Sequence, residues 1–399
     1  RTQGVRGEKR ITEHRIFGVK TGGPGMANVM SMTFLGTSSA QPTATRNHSS
    51  LALHIDGSIW LFDCGEATQH QILKSPTCRL AKIRKIFITH LHGDHVYGLP
   101  GVLCTLGGLT SRAESEIHIY GPSGLRLYVR AALSHTYATL GFKYSVHELH
   151  ETLPPVQVQS ELHIDELPGM DIMPSDQDYG GWMVCKSDHM TVRAASLTHR
   201  IPCVGYVVTE EDAPGRLMME RIQPILDINA ASFLHLGIRN PKSLLAGFKA
   251  GNPIDLPDGS RLSPDMFIGP RRPGRKVTIM GDNSNGTKIV GLAMNSDVIV
   301  HEATNAYLQG DESTTYDATE ALCISHGHST PQMAGRFAKE TGGKLLVLNH
   351  FSSRYKGDAS PDSVSVMEQI RQLAVCSFGS DYVITASDFY SFDIPKKNV

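Results

Sequence analysis

The sequence predicts an α/β fold, and three observations carry that prediction. Short apolar, β-branched runs recur along the chain and alternate with segments of helical periodicity. Several of these runs end in a histidine or an aspartate. One of them, Lys85-Ile86-Phe87-Ile88-Thr89, leads directly into His90-Leu91-His92-Gly93-Asp94-His95. A loop that crowds three imidazoles and a carboxylate into six residues is costly unless a cation sits among them. Zinc accepts His nitrogen and Asp oxygen at about 2.0–2.2 Å, so this loop offers ligands to two ions at once.

In chain order, strands are expected at Met32–Leu35, Leu51–Ile55 and Ile59–Phe62, separated by Gly, Pro, Asn and Asp. A helix follows over Glu66–Lys74, then the 84–89 strand and its metal loop, with Gly98-Leu99-Pro100 opening another helix. The alternation continues through a strand at Ile117–Tyr120 and a helix at Gly124–Ser134. Residues 151–190 are rich in Pro and Gly and read as a long surface excursion. Strands resume at Thr191–Leu197 and Cys203–Thr209. Residues 212–273 show helical pieces but little alternation, which suggests a protrusion from the body. The last third is βαβ-like, with strands at Lys276–Met280, Val298–Val300 and Lys344–Leu348.

Composition bounds the classes available. The chain has 399 residues, 40% of them apolar, and 38 glycines, which is ordinary for a globular protein with a real core. Net charge is −1, so a nucleic-acid partner would have to meet a local basic patch rather than the whole surface. The seven cysteines are scattered without a Cys-x-x-Cys, which argues for a reducing compartment and against a disulfide framework. No apolar run approaches the roughly 18 residues of a membrane span, so no membrane association is expected. Residues 1–28 carry Arg1, Arg6, Lys9, Arg10, Arg15 and Lys20 against Glu8 and Glu13, and read as a basic, disordered tail ahead of one domain over 29–399.

Three later strands also end in ligand types: His199 after Thr191–Leu197, Asp282 after Lys276–Met280, and His350 after Lys344–Leu348. With His90, His92, Asp94 and His95 they make five histidines and two aspartates. That is the number a two-metal centre needs, with a carboxylate bridging ions about 3.5–4 Å apart, and Asp282 is the natural bridge. Asp63 is read as a partner that orients one of the histidines. Glu302, at the end of Val298-Ile299-Val300-His301, and His328, just before a helix opening at Pro331, suit proton transfer to a leaving group.

Taken together these motifs resemble the metallo-β-lactamase superfamily and, within it, the short-form tRNase Z (ribonuclease Z) family, from about Met32 to Ile394. His-x-His-x-Asp-His reports the superfamily. His301-Glu302-Ala303-Thr304, His328-Ser329-Thr330, Phe34-Leu35-Gly36-Thr37, Pro42–Asn47 and Trp60–Gln69 narrow it. The resemblance implies a four-layer αβ/βα sandwich with a flexible tRNA-binding arm, here inserted at 212–255, and two Zn(2+) per subunit. One zinc is expected on His90, His92 and His199, the other on Asp94, His95 and His350, with Asp282 between them. Asp94 is expected to orient or deprotonate the attacking water, and Glu302 with His328 to protonate the departing 3′ oxygen. The implied reaction removes the 3′ trailer from precursor tRNA, leaving a tRNA 3′-hydroxyl and a trailer 5′-phosphate.

The resemblance further implies substrate contacts at Arg46 and Asn47 in the 42–47 loop, at Arg354, and at Lys242 and Lys249 in the arm. A homodimer acting in the cytoplasm, the nucleus or an organelle matrix is implied as well. The arm's positive excess, with Arg271, Arg272, Arg275 and Lys276 beyond it, is the basic surface a near-neutral protein would turn to phosphates. Four features depart from the family pattern: Asn240-Pro241-Lys242 replaces the usual Gly-Pro turn of the arm, the segment before it is longer and more apolar (Ile225, Leu226, Ile228, Phe233, Leu234), Thr43-Ala44-Thr45 replaces a lysine-containing version, and Gly281-Asp282-Asn283 replaces the common Gly-Asp-Thr. Two competing classes share parts of this pattern. A small-molecule hydrolase or phosphodiesterase on the same fold would share the metal ligands but not the Glu302/His328 pair or a basic arm. A non-enzymatic RNA-binding scaffold would hold RNA equally well without metal. His and Asp ligands also accept iron or manganese.

Overall fold

A computed structural model describes residues 29–108, 116–152, 161–187 and 189–397. The basic tail expected at 1–28 lies outside the described residues. Two sheets and their helices form the first of two compact units, which comprises Arg1–Lys186, Thr191–Val208 and Lys276–Pro395 as far as these are described.

Among the described residues the first sheet has nine strands and the second seven. Ser391–Asp393, Met30–Gly36, Ser50–Ile55 and Ser58–Phe62 pair antiparallel in that order. From Ser58–Phe62 onward the pairing turns parallel, through Ile83–Phe87, Glu116–Pro122 and Lys143–Leu149. The second sheet runs in the order Val383–Thr385, Leu346–Asn349, Val298–Glu302, Lys276–Ile279, Cys203–Glu210, Met190–Leu197 and Trp182–Ser187. Its first four are mutually parallel, with Glu302 paired to Asn349, so their carboxyl ends share one edge. Open α/β sheets place their chemistry beyond such an edge.

Each sheet is covered on one face by helices. Thr68–Lys74, Leu99–Gly107 and Leu125–His135 bury Ile72, Leu99, Val102, Leu103, Leu125 and Val129 against the first. Pro331–Glu340 and Pro361–Phe378 bury Ala334, Phe337, Ile370 and Ala374 against the second. The other faces meet through aromatic rings. Phe87 stacks on Phe62 and Tyr120 at 4.9 and 5.1 Å, and Tyr206 of the second sheet meets its edge at 5.4 Å. The Tyr206 hydroxyl donates to the Ile88 carbonyl at 2.7 Å, so the polar end of this inter-sheet wedge is satisfied. The result is a four-layer αβ/βα sandwich.

The stretch 151–190 requires a correction. It is not all surface excursion: Glu166–Leu167 and Asp171–Ile172 add to Lys143–Leu149, and Trp182–Ser187 edges the second sheet. Short strands interrupted by Pro168 and Gly169 carry too few residues for a period to show. Lys143–Leu149 itself escapes a pattern reading because it buries Ser145, His147 and Glu148 alongside Tyr144 and Val146. Hydrogen bonds make that polarity tolerable: Glu148 accepts the Gly124 and Arg126 amides at 2.9 Å, Ser145 Oγ donates to Glu116 at 2.7 Å, and His147 Nδ1 accepts the Met170 amide at 3.1 Å.

The second compact unit comprises Ser187–Met190, Thr209–Arg275 and Lys396–Val399 as far as described, and so runs past the 255 boundary expected of the arm. Helices Met219–Ile228, Ala230–His235 and Leu245–Lys249 and a two-stranded ribbon, Ile254–Asp255 with Arg261–Leu262, enclose a small core of Leu217, Ile222, Leu226, Phe233, Phe248 and Phe267. The Asn240 side chain accepts from the Lys242 amide at 3.1 Å, and Pro241 follows it in the first turn, so this turn is built without a Gly-Pro.

Candidate metal centre

The ends of four strands bring the seven expected ligands together. His90, His92, Asp94 and His95 follow Ile83–Phe87, His199 follows Met190–Leu197, Asp282 follows Lys276–Ile279 and His350 follows Leu346–Asn349. Potential ligand atoms of His90, His92 and His199 lie within 4.8 Å of one another, as do those of Asp94, His95 and His350. Asp282 stands between the two sets. Its Oδ2 is 3.7 Å from His90 Nε2, while its Oδ1 is 3.5 Å from His95 Nε2 and 3.3 Å from His350 Nε2.

The outer nitrogens decide which way the lone pairs point. Asp63 Oδ2 accepts from His95 Nδ1 at 2.8 Å, and the Gly327 carbonyl accepts from His199 Nδ1 at 2.7 Å. Thr89 Oγ1 gives its proton to Asp63 Oδ2 at 2.9 Å, so toward His90 Nδ1, 3.1 Å away, it can only accept. Thr304 Oγ1 likewise gives its proton to Glu302 and can only accept from His350 Nδ1 at 3.1 Å. All four imidazoles therefore carry a hydrogen outward on Nδ1 and turn Nε2 inward.

The inner nitrogens converge on one another. His95 Nε2 and His350 Nε2 are 3.1 Å apart, and His92 Nδ1 is 3.0 Å from His90 Nε2 and 3.1 Å from His199 Nε2. So many imidazole nitrogens turned toward one another at hydrogen-bond distance form a cluster that a cation would hold together. The donor set, imidazole nitrogen and carboxylate oxygen with their outer atoms tied down, fits zinc.

The electrostatics divide the imidazoles: burial pulls His95 down, but Asp282, Asp94 and Asp63 around it raise it well above its usual range, whereas His90, His92 and His199 are lowered. Burial lowers the His90 imidazole well below its usual range, with neighbouring His95 adding to the effect. Burial also lowers His92, reinforced by His199, and lowers His199 itself. A neutral imidazole is the form that ligates metal. Burial opposes ionisation of Asp282, but His350, His95 and His90 hold it well below the carboxylate range. Asp94 behaves the same way through His95 and His350, and its Oδ2 accepts the Ala40 amide at 2.6 Å.

Glu302 and His328 sit against this cluster. His328 Nδ1 lies 3.1 Å from Glu302 Oε2 and 3.7 Å from Asp282 Oδ2. Glu302 is buried, and its other oxygen accepts the Asn283 amide at 2.6 Å while Thr304 Oγ1 donates to Oε2. Burial pulls the His328 imidazole down, yet the adjoining Glu302 carboxylate, with Asp282 behind it, raises it to about 9. Gly327 makes the turn that delivers it, at φ +78, where a Cβ would stand 2.6 Å from His199 Nδ1.

Arg46 is a correction. It is 2% exposed, and its guanidinium donates to the Tyr355 carbonyl at 2.8 Å, Thr37 Oγ1 at 2.7 Å and the Ala386 carbonyl at 2.9 Å, with the Phe351 ring beneath it. Burial lowers it to about 10, against the pull of Asp388. These donors are consumed inside the protein and hold the 42–47 loop onto the C-terminal third. Two members of the basic surface read beyond the arm are also spent: Arg275 is buried and doubly bonded to Glu210, and Lys276 Nζ donates to the Leu292 and Met294 carbonyls. Asn47 is half-buried, with its amide on the Glu66 carbonyl, while Arg354 is exposed and donates to Asn305 Oδ1. Lys242 and Lys249 are exposed on the second unit.

Two residues that the motif reading missed border the cluster. Arg200 is exposed and close enough to His92 and His328 to lower both, and Tyr97 is 64% exposed beside the metal loop. They share with His92, Asp94, Asp282 and His328 the lining of an open cleft of about 440 Å³. No sequence pattern marks either one, since each simply follows a ligand by one or two positions.

A family profile described as "Anti-Pycsar protein Apyc1" matches residues 30–143. Zinc phosphodiesterase ELAC protein 1 of Bos taurus is 36% identical over 92% of this chain and 99% of its own length. Ribonuclease Z of Streptococcus suis is 38% identical over 86% of this chain and 96% of its own. The crystal structure of human tRNase Z, short form, superposes with a TM-score of 0.60 at 32% identity, covering 92% of this chain and 100% of that one. Within the metallo-β-lactamase fold, the chain therefore belongs to the ribonuclease Z family of zinc phosphodiesterases.

Proposed function

We propose that this protein is a zinc-dependent endoribonuclease that removes the 3′ trailer from precursor tRNA. The observation that carries the reading is the His328–Glu302 contact at 3.1 Å, set against the edge of the candidate metal centre. It gives a phosphodiesterase a proton donor for a poor leaving group.

His90, His92 and His199 would hold one zinc, and Asp94, His95 and His350 a second, with Asp282 ligating both. Zinc supplies Lewis acidity at the phosphoryl group and makes water acidic enough to attack near neutral pH. Asp94, itself fixed by the Ala40 amide, orients the attacking water and accepts its proton. Water oxygen bonds to phosphorus, the bond from phosphorus to O3′ breaks, and His328 delivers its proton to O3′. Glu302, anchored by the Asn283 amide and Thr304, holds the imidazole protonated until that transfer. The products are a tRNA 3′-hydroxyl and a trailer 5′-phosphate.

The unit containing 212–255 acts as the tRNA-binding arm, supported by the exposed Lys242 and Lys249, with Arg354 and Asn47 contacting the acceptor end. Two copies work as a homodimer in the cytoplasm or nucleus. Among the described residues, no helix is long and apolar enough to cross a membrane. The test is incubation of the zinc-loaded enzyme with end-labelled pre-tRNA. A single cut just after the discriminator base, with two zinc per chain by metal analysis, supports the reading. Turnover of small diesters with intact pre-tRNA overturns it in favour of a small-molecule phosphodiesterase.

A further inference from the structure

We infer that Tyr97 is a stacking platform for a nucleobase next to the scissile phosphate. The inference rests on the nuclease reading above and assigns a residue that the metal chemistry leaves unused.

Tyr97 lies two residues beyond His95, at the end of the short helix Gly93–Val96, and its amide donates to the Gly93 carbonyl at 2.9 Å. Its ring is pressed against the backbone of the metal loop: a Cβ at Gly93 would stand 2.2 Å from Tyr97 Cε2 and 2.6 Å from Cδ2. Glycine at 93 therefore makes room for the ring, and any larger residue there would displace it. The residue is nonetheless 64% exposed. Packing does not account for this placement, because the adjacent Val96, at 1% exposed, already fills the core beneath the helix.

An aromatic ring held from one side in a largely exposed residue is a surface for flat, π-faced ligands. Base–aromatic stacking of this kind is tolerant of sequence, since every base has a π face. The cleft that Tyr97 lines contains the chemistry on one side, through Asp94, Asp282 and His328, and a cation, Arg200, that suits a phosphate. Its volume of about 440 Å³ falls within the roughly 300–1,000 Å³ of small-ligand sites. Metal centre, cation and aromatic face thus occur together in the combination that one nucleotide presents: a reacting phosphate, its charge and its base.

The test pairs enzyme and substrate changes. Pre-tRNAs carrying an abasic residue at each position flanking the cleavage site are compared with the intact substrate, using wild type, Tyr97→Phe and Tyr97→Ala. At one flanking position, wild type and Tyr97→Phe should lose roughly 5- to 150-fold in kcat/KM when the base is removed, the equivalent of about 1–3 kcal/mol. Tyr97→Ala should show that loss already with the intact substrate, and little more with the abasic one. Bound zinc and melting temperature, unchanged in Tyr97→Ala, exclude a collapsed metal loop.

A readout independent of turnover is the fluorescence of a short RNA with 2-aminopurine at the same position, which stacking quenches. Quenching by wild type and Tyr97→Phe but not Tyr97→Ala is expected. Equal quenching by all three, or an abasic penalty equal in wild type and Tyr97→Ala, would overturn the inference even if pre-tRNA is cut. Tyrosine-dependent quenching without any cut of pre-tRNA would keep the stacking site and overturn the tRNA reading alone.

Discussion

Replacing Asp63 with Asn tests whether the metal centre depends on the hydrogen bonds behind its ligands. The Asp63 carboxylate accepts three of them: Thr89 N–H on Oδ1 at 2.7 Å, and Thr89 O–H and His95 Nδ1–H on Oδ2 at 2.9 and 2.8 Å. An amide of the same shape has only one acceptor oxygen. With that oxygen toward His95, the amide N–H₂ opposes the Thr89 N–H. Turned the other way, it faces His95 Nδ1 with a donor and drives the ring proton to Nε2, where the lone pair is needed. Either arrangement leaves a buried donor against a donor, at a cost of about 1–3 kcal/mol. Changes behind a metal ligand typically cost about 10- to 100-fold in affinity, or about 1.4–2.8 kcal/mol. Chelator competition on Asp63→Asn should therefore show one zinc equivalent weakened by that factor. The melting temperature of the metal-free protein checks that the fold survives. Zinc affinity within twofold of wild type for every equivalent would refute the argument that Asp63 fixes the His95 lone pair.

Other consequences follow from the same geometry. Gly327→Ala forces a Cβ toward His199 Nδ1 at a positive φ, so zinc content and pre-tRNA cleavage should both fall at least tenfold, measured by metal analysis and initial rates. Arg46→Ala takes the guanidinium donor from the buried Tyr355 and Ala386 carbonyls and from Thr37 Oγ1 and should destabilise the protein by about 2–4 kcal/mol. Thermal denaturation checks this, and KM for pre-tRNA in the folded fraction should stay within about twofold. Arg200→Gln removes the cation of the cleft, so KM for pre-tRNA should rise and become less dependent on salt, read from rates at two ionic strengths.

Much of this was legible because the information is local. His90, His92, Asp94 and His95 lie in one loop, and the strands carrying His199, Asp282 and His350 are apolar enough for period and length to mark them. Arg46 misled for the opposite reason. A cation in a polar loop reads as surface, and the Tyr355 and Ala386 carbonyls that bury it lie more than 300 residues away in sequence. The strand Lys143–Leu149 was missed because its buried faces include Ser145, His147 and Glu148, which break any hydrophobic alternation. Tyr97 and Arg200 have no pattern at all, and only the cleft they share makes them visible.

His328, held by Glu302, is proposed to protonate the departing oxygen. The direct measurement compares His328→Ala with wild type on pre-tRNA and on bis(p-nitrophenyl) phosphate, whose leaving group departs as a stable anion without a proton. His328→Ala should lose about 10²- to 10⁴-fold on pre-tRNA and change little on the small diester, with zinc content intact. An equal loss on both substrates would contradict it, and would place His328 in metal binding or general architecture instead.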